Sequence, residues 1–106
     1  DNCEQVSILD GALPIAHKLY NAFPNPFNPV TTLHYGLPEN ELVNITIYDM
    51  MGRIIKTLMN GEQTAGYGSV QWNSTNNAGQ LVGAGLYLYT IQAGGFRQTK
   101  KIVLLR

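Results

Sequence analysis

Four short runs of this chain alternate apolar and polar residues with a period of two. Leu33, Tyr35 and Leu37 alternate with Thr32, His34 and Gly36, and Val43, Ile45 and Ile47 with Asn44, Thr46 and Tyr48. Val70 and Trp72 alternate with Gln71 and Asn73, and Tyr87, Tyr89 and Ile91 with Leu88, Thr90 and Gln92. Successive side chains of a strand point to opposite faces, so this pattern buries one face and wets the other. The runs are rich in β-branched and aromatic residues, which suit a pleated, half-buried surface. Helical spacing is sustained nowhere. Ile54, Ile55 and Leu58 would make one turn, but Gly52 and Asn60-Gly61 bracket them too closely. The chain reads as all-β.

Turn residues divide the runs. Asp49-Met50-Met51-Gly52 predicts a tight link between neighbouring antiparallel strands, and Asn60-Gly61 predicts another turn. Gly66 and Gly68 flank the approach to the Trp72 strand. Residues 73–85 are the longest polar stretch and read as an exposed loop. Gly94-Gly95 predicts the last hairpin, with 96–105 as its return strand. A short strand near 17–21 brings the count to about seven, the number of a small antiparallel sandwich. Residues 1–16 show no periodicity and Pro14 interrupts them. They read as a linker from a longer parent, and the start at Asp1 rather than Met fits a fragment; 17–106 read as the folded domain.

Composition narrows the function classes. At 106 residues the chain has room for one domain. Hydrophobic residues make up 44%, enough for a core, and charged residues only 13%, about half the usual share. No apolar run approaches the ~18 residues of a membrane helix. A formal net charge of +0 argues against a nucleic-acid binder driven by bulk charge. The charge is nonetheless unevenly placed. Residues 1–52 hold Lys18 against six acids, whereas 53–106 hold six bases against Glu62. Arg97, Lys100, Lys101 and Arg106 crowd the end of the chain. Such asymmetry fits a partner surface or a guarded edge strand.

No catalytic constellation is legible. Cys3 has no partner for a disulfide. His17 and His34 are the only histidines, too few and too scattered for a predicted metal site. Ser7, Ser69 and Ser74 lack a nucleophile-elbow setting. Asp49 reads as a turn residue, and Glu39 and Glu41 as loop residues beside Pro38. Gly83-Ala84-Gly85 is followed by no helix that would cradle a phosphate. The Asn73–Asn77 stretch offers calcium no carboxylate. The expectation is no enzyme, no cofactor and no metal. Six tyrosines, one tryptophan and three phenylalanines raise the question of a sugar platform. Trp72 and Tyr87 have core parity, while Tyr48 and Tyr67 are freer for the surface.

One string stands apart: Phe23-Pro24-Asn25-Pro26-Phe27-Asn28-Pro29, leading into Val30-Thr31-Thr32-Leu33. Its prolines fix φ and extend their predecessors. Asn25 and Asn28 can bond nearby backbone, and Phe27 can plug the end of a sandwich. The string resembles the type A C-terminal sorting domain of cargo proteins of the type IX secretion system, found in Bacteroidetes and related phyla. Val43 to Arg53 resembles that family's strand and its Asp-x-x-Gly-Arg turn, here Asp49, Gly52 and Arg53. Ile55 and Leu58 resemble its next strand, Gly66 with Val70-Gln71-Trp72 its segment ending in Trp, Gly85-Leu86-Tyr87 its Gly-x-Tyr strand, and 100–106 its terminal strand with a final basic residue. The resemblance spans about residues 17–106; the 73–84 loop departs from it. The fold is also similar to the immunoglobulin-like domain of the flagellar hook-capping protein. An immunoglobulin-like or fibronectin III-like antiparallel sandwich is therefore implied.

The resemblance also implies a role. The parent would cross the periplasm, and an outer-membrane translocon would recognise this domain. A sortase-like surface peptidase would then cut within residues 1–20, leaving the cargo released or joined to lipopolysaccharide at the cell surface. The end strand is polar at 97–101 and apolar at 102–105, so burial of Ile102 to Leu105 would fix the bases before it. The candidate recognition residues are Gly85, Tyr87, Arg97, Lys100, Lys101 and Arg106. Apolar edge strands leave room for a weak homodimer. A non-catalytic carbohydrate-binding or adhesion module, marked by an exposed aromatic row, is the alternative, and a structural spacer the third.

Overall fold

The computed structural model describes residues 14–105, so Cys3, Ser7, Arg106 and most of the linker fall outside it. Among these described residues seven strands follow one another: β1 (Lys18–Leu19), β2 (Thr31–Leu37), β3 (Glu41–Tyr48), β4 (Ile54–Gln63), β5 (Gly66–Trp72), β6 (Gly85–Ala93) and β7 (Phe96–Leu104). They form two antiparallel sheets, ordered β1-β2-β5 and β4-β3-β6-β7. The apolar parity of each run faces the space between the sheets. Leu33, Tyr35 and Leu37 from one sheet meet Val43, Ile45, Ile47, Tyr89, Ile91 and Ile102 from the other, all buried. Each such aliphatic side chain contributes about 1.5–3 kcal/mol by leaving water.

Tyr89 ties the layers together. Its Oη accepts the Ala22 N–H at 2.8 Å and donates to the Tyr20 carbonyl at 3.0 Å. A phenol buried this deeply needs such partners, and these two hold the chain just after β1 against the four-stranded sheet. His17 closes the sandwich nearby: it pairs with Glu41 and stacks on Phe96 at 5.0 Å. Pro14, in the stretch read as linker, is buried.

Several expectations need correction. Asn60-Gly61 is not a turn but part of β4, paired with Asn44 and Val43. The β3 ladder continues past the local turn signal and overrides it. The reversal comes at residues 64–65, where Asn40 Oδ1 accepts the Ala65 N–H at 2.7 Å. Gly66 and Gly68 do not flank β5 but belong to it. Gly68 has a steric reason, since a Cβ there would lie 2.4 Å from the Tyr35 phenol. The Ile54-Ile55-Leu58 spacing is a strand with register shifts opposite Ile45/Thr46 and Ile47/Tyr48; these bulges disturb the alternation. Glu41 opens β3 rather than sitting in a loop. In the last strand Ile102 and Leu104 are buried and Val103 is half-buried, but Leu105 is 49% exposed.

Candidate functional site

The proline-rich segment lies along the free edge of β7. Phe27 N–H donates to the Val103 carbonyl and Leu105 N–H to the Phe27 carbonyl, both at 2.9 Å, in a short parallel bridge. Asn25 extends the contact with its side chain. Its Oδ1 accepts the Val103 N–H at 3.0 Å, and its Nδ2 donates to the Lys101 carbonyl at 3.2 Å. The carboxamide thus does what a peptide group of a neighbouring strand would do. The segment is pinned from behind as well. Thr31 Oγ1 donates to the Pro24 carbonyl at 2.7 Å, and Ser74 Oγ to the Pro29 carbonyl. Both hydroxyls are fully buried. The three X–Pro bonds of the motif are cis.

Phe27 drives its ring into the core end, 5.5 Å from Trp72, and Trp72 meets Tyr87 edge-on at 5.2 Å. Trp72 Nε1 donates to the Thr75 carbonyl, and Tyr87 Oη to the Gly83 carbonyl. Three pieces of sequence more than ten residues apart therefore meet in one aromatic cluster beneath the motif. The polar 73–85 loop is anchored, not free: Asn77 N–H donates to the Ile55 carbonyl, and Asn77 Oδ1 accepts the Thr57 N–H. This caps the β4 edge much as Asn25 caps that of β7. The sequence gives Asn77 no distinguishing mark, because the edge it covers is identified only by the sheet order.

The Asp49 turn is a separate staple. Asp49 Oδ1 accepts the N–H groups of Met51 and Arg53, each at 2.9 Å, and Oδ2 accepts Arg53 Nε–H at 2.7 Å. Gly52 holds φ +85°, which glycine tolerates best. The Arg53 N–H, then its side chain and the Met51 N–H, hold the Asp49 carboxyl below its ordinary range against a smaller opposing effect of desolvation. Gly52 also borders a shallow depression of about 280 Å³ on the outer face of the four-stranded sheet, shared with Tyr48, Leu88, Thr90, Arg97 and Thr99.

The structure divides the candidate recognition residues. Arg97 and Lys101 are exposed and share the outward parity of β7 with Thr99 and Val103. Neither has an acid partner among the described residues; the ion pairs there are His17–Glu41 and Asp49–Arg53. Lys100 has the inward parity, opposite the buried Tyr89, and is half-buried. Tyr87 is 8% exposed, so its side chain offers a receptor no surface and acts in packing. Gly85 is exposed at φ +147°. Arg106 lies outside the described residues. Among those described, no three His, Cys, Asp or Glu side chains gather as metal ligands, and no helix is long and apolar enough to cross a membrane.

A family model described as the FlgD Ig-like domain matches residues 30–95. None of the curated proteins matches. Among solved structures, the chain is similar to dimeric latent PorU from Porphyromonas gingivalis, with a TM-score of 0.66 and 21% identity over 85% of this chain. It is similar to FlgD from P. aeruginosa, with a TM-score of 0.55 and 24% identity over 70% of this chain. It is also similar to PorZ of P. gingivalis, described as an essential surface component of the type-IX secretion system, with a TM-score of 0.58 and 19% identity over 98% of this chain. The chain spans 9% of the PorU chain, 58% of FlgD and 13% of PorZ, so it corresponds to one part of each.

Proposed function

We propose that this chain, which belongs to the FlgD Ig-like domain family, is the C-terminal sorting domain of a type IX secretion cargo. In this reading 17–106 is the domain that an outer-membrane translocon recognises, 1–16 is the linker, and a sortase-like surface peptidase cuts within residues 1–20. The parent is exported through the periplasm to the cell surface. The domain contributes an address and no chemistry of its own.

The observation that carries this reading is the bonding of Asn25 and Phe27 to residues 101–105. The motif at one end of the domain and the basic strand at the other form one rigid unit, as a folded address requires. The outward stripe of Arg97, Thr99, Lys101 and Val103 is then held in register for a receptor to read by charge and shape. Similarity to parts of PorU and PorZ supports the same reading.

The test fuses 17–106 to a reporter behind a periplasmic leader in a bacterium with a working type IX system. The fusion is expected at the cell surface. The double variant Arg97→Glu/Lys101→Glu is expected to fold yet stay in the periplasm. Export of that folded variant at the parental level would remove the basic stripe from the account.

A further inference from the structure

The outer face of the three-stranded sheet carries rings where a wetted sheet face usually carries only polar groups. Its central strand β2 turns Gly36, His34 and Thr32 outwards. Tyr67, Ser69 and Gln71 of β5 stand opposite them on one side. On the other side stand Lys18, Tyr20 and Phe23: Lys18 pairs with Gly36, Tyr20 N–H donates to the His34 carbonyl, and Phe23 exchanges both backbone bonds with Thr32. A diagonal of rings therefore crosses the face from Tyr67 through His34 to Phe23, with Tyr20 beside it. Tyr67 is 50% and Phe23 77% exposed. Sheet spacing sets successive rings of the diagonal about 8 Å apart. A shallow cavity of about 320 Å³ lies among Tyr20, His34, Tyr35, Tyr67 and Gly68, within the size range of ligand sites. A second depression shares Tyr20 and Tyr67 and extends it towards Pro14.

Charge and hydrogen bonding select the occupant. Lys18 is the one permanently charged residue of these nine, and its ammonium sits 5.4 Å from the Tyr20 ring centre. Arg97 and Lys101 lie on the other sheet, so this face holds a single cation and lacks the run of positive charge that draws an anionic polymer. Thr32, Ser69 and Gln71 place hydroxyl and amide groups between the rings, and none of these side chains has a hydrogen-bond partner among the described residues. The backbone of β2 is already paired on both sides, so a peptide lying across the rings could not bond to it as an added strand. Flat apolar rings interspersed with uncharged donors and acceptors complement a pyranose, with its C–H face and its rim of hydroxyls.

We propose that this face is a binding platform for a neutral polysaccharide. Tyr67, His34 and Phe23 supply the stacking surface, and Thr32, Ser69 and Gln71 hydrogen-bond the sugar hydroxyls. The site stands apart from the export reading, since it lies on the opposite sheet from the basic stripe.

The test is affinity electrophoresis of the full chain in native gels containing soluble β-glucan, xylan, mannan or galactan. At least one polymer is expected to retard it. Phe23→Ala and Tyr67→Ala should each weaken that retardation about fivefold or more. Ile54→Ala, on the outer face of the other sheet, should leave it unchanged. Both rings are exposed, and a thermal melt of each variant checks that the fold persists. No retardation by any of the four polymers, equal retardation of the folded ring variants, or capture of the face by a proline-rich peptide without any by polysaccharide would each overturn the proposal.

Discussion

Asn25 completes the edge of the terminal strand with its side chain, accepting the Val103 N–H and donating to the Lys101 carbonyl across 78 and 76 residues of sequence. Few contacts in the domain span more of the chain, and this one joins the proline-rich motif to the last strand. Asn25→Ala leaves both backbone groups without their protein partner. The segment is exposed, so water replaces part of what is lost. The expected destabilisation is about 1 kcal/mol, read by urea denaturation. Asn25→Asp, which keeps an acceptor but loses the donor, should fall between the two.

Trp72 sits between Phe27 and Tyr87 with its indole N–H satisfied by Thr75. Phe27→Ala opens a cavity beside it and releases the motif from the core. A loss of about 3–5 kcal/mol is expected, enough to unfold a marginal domain. Protease sensitivity at residues 101–105 should rise in the same variant. The conservative Phe27→Leu should retain most of the stability.

Tyr89 makes an alkaline limit visible. Burial pushes its phenol above the ordinary tyrosine range, with the Ala22 N–H pulling partly back, and burial raises Tyr35 too. A raised folded-state pKa means stability is complete below the unfolded value of about 10 and falls as pH rises through the folded one. Tyr89→Phe should flatten part of that alkaline fall and leave the Tyr35 part. At neutral pH it strands the Ala22 N–H and should cost about 1–3 kcal/mol. Denaturation midpoints from pH 8 to 11.5 for both proteins check this.

Asp49 acts in the opposite direction. Its folded-state pKa is depressed, first by the Arg53 N–H. The stability it adds is present above the unfolded pKa of about 4 and disappears as pH falls through the lower, folded one. Asp49→Asn should therefore remove an acid-sensitive part of the unfolding curve below pH 4 while leaving the alkaline side unchanged. Thermal melts between pH 2.5 and 7 measure it.

β2, β3, β5 and β6 and the core they carry were legible because alternation is a local property: Leu33, Ile45, Trp72 and Tyr89 have the burial their parity predicts. The Asp49 turn was legible for the same reason, since all its partners lie within four residues. Asn60-Gly61 misled because pairing with β3 is a long-range property that overrides a local turn preference. The division of Arg97 and Lys101 from Lys100 follows from the same alternation, but only once β7 is placed at the sheet edge. Asn25 was legible as a residue that bonds backbone, but its partners are in β7 rather than nearby; Asn77 looks like an ordinary loop residue until the sheet order shows which strand edge it closes. The aromatic diagonal was hidden because Phe23 and Tyr20 lie on a segment with only two residues of regular strand.

The central claim is that this domain is an address removed on arrival. Mass spectrometry of the surface-located parent, purified from its native host, tests it most directly. The account predicts a mature protein ending within residues 1–20, with no peptide from the β2–β7 region. A surface protein that retains peptides through β7, with no shortened form beside it, would contradict the account.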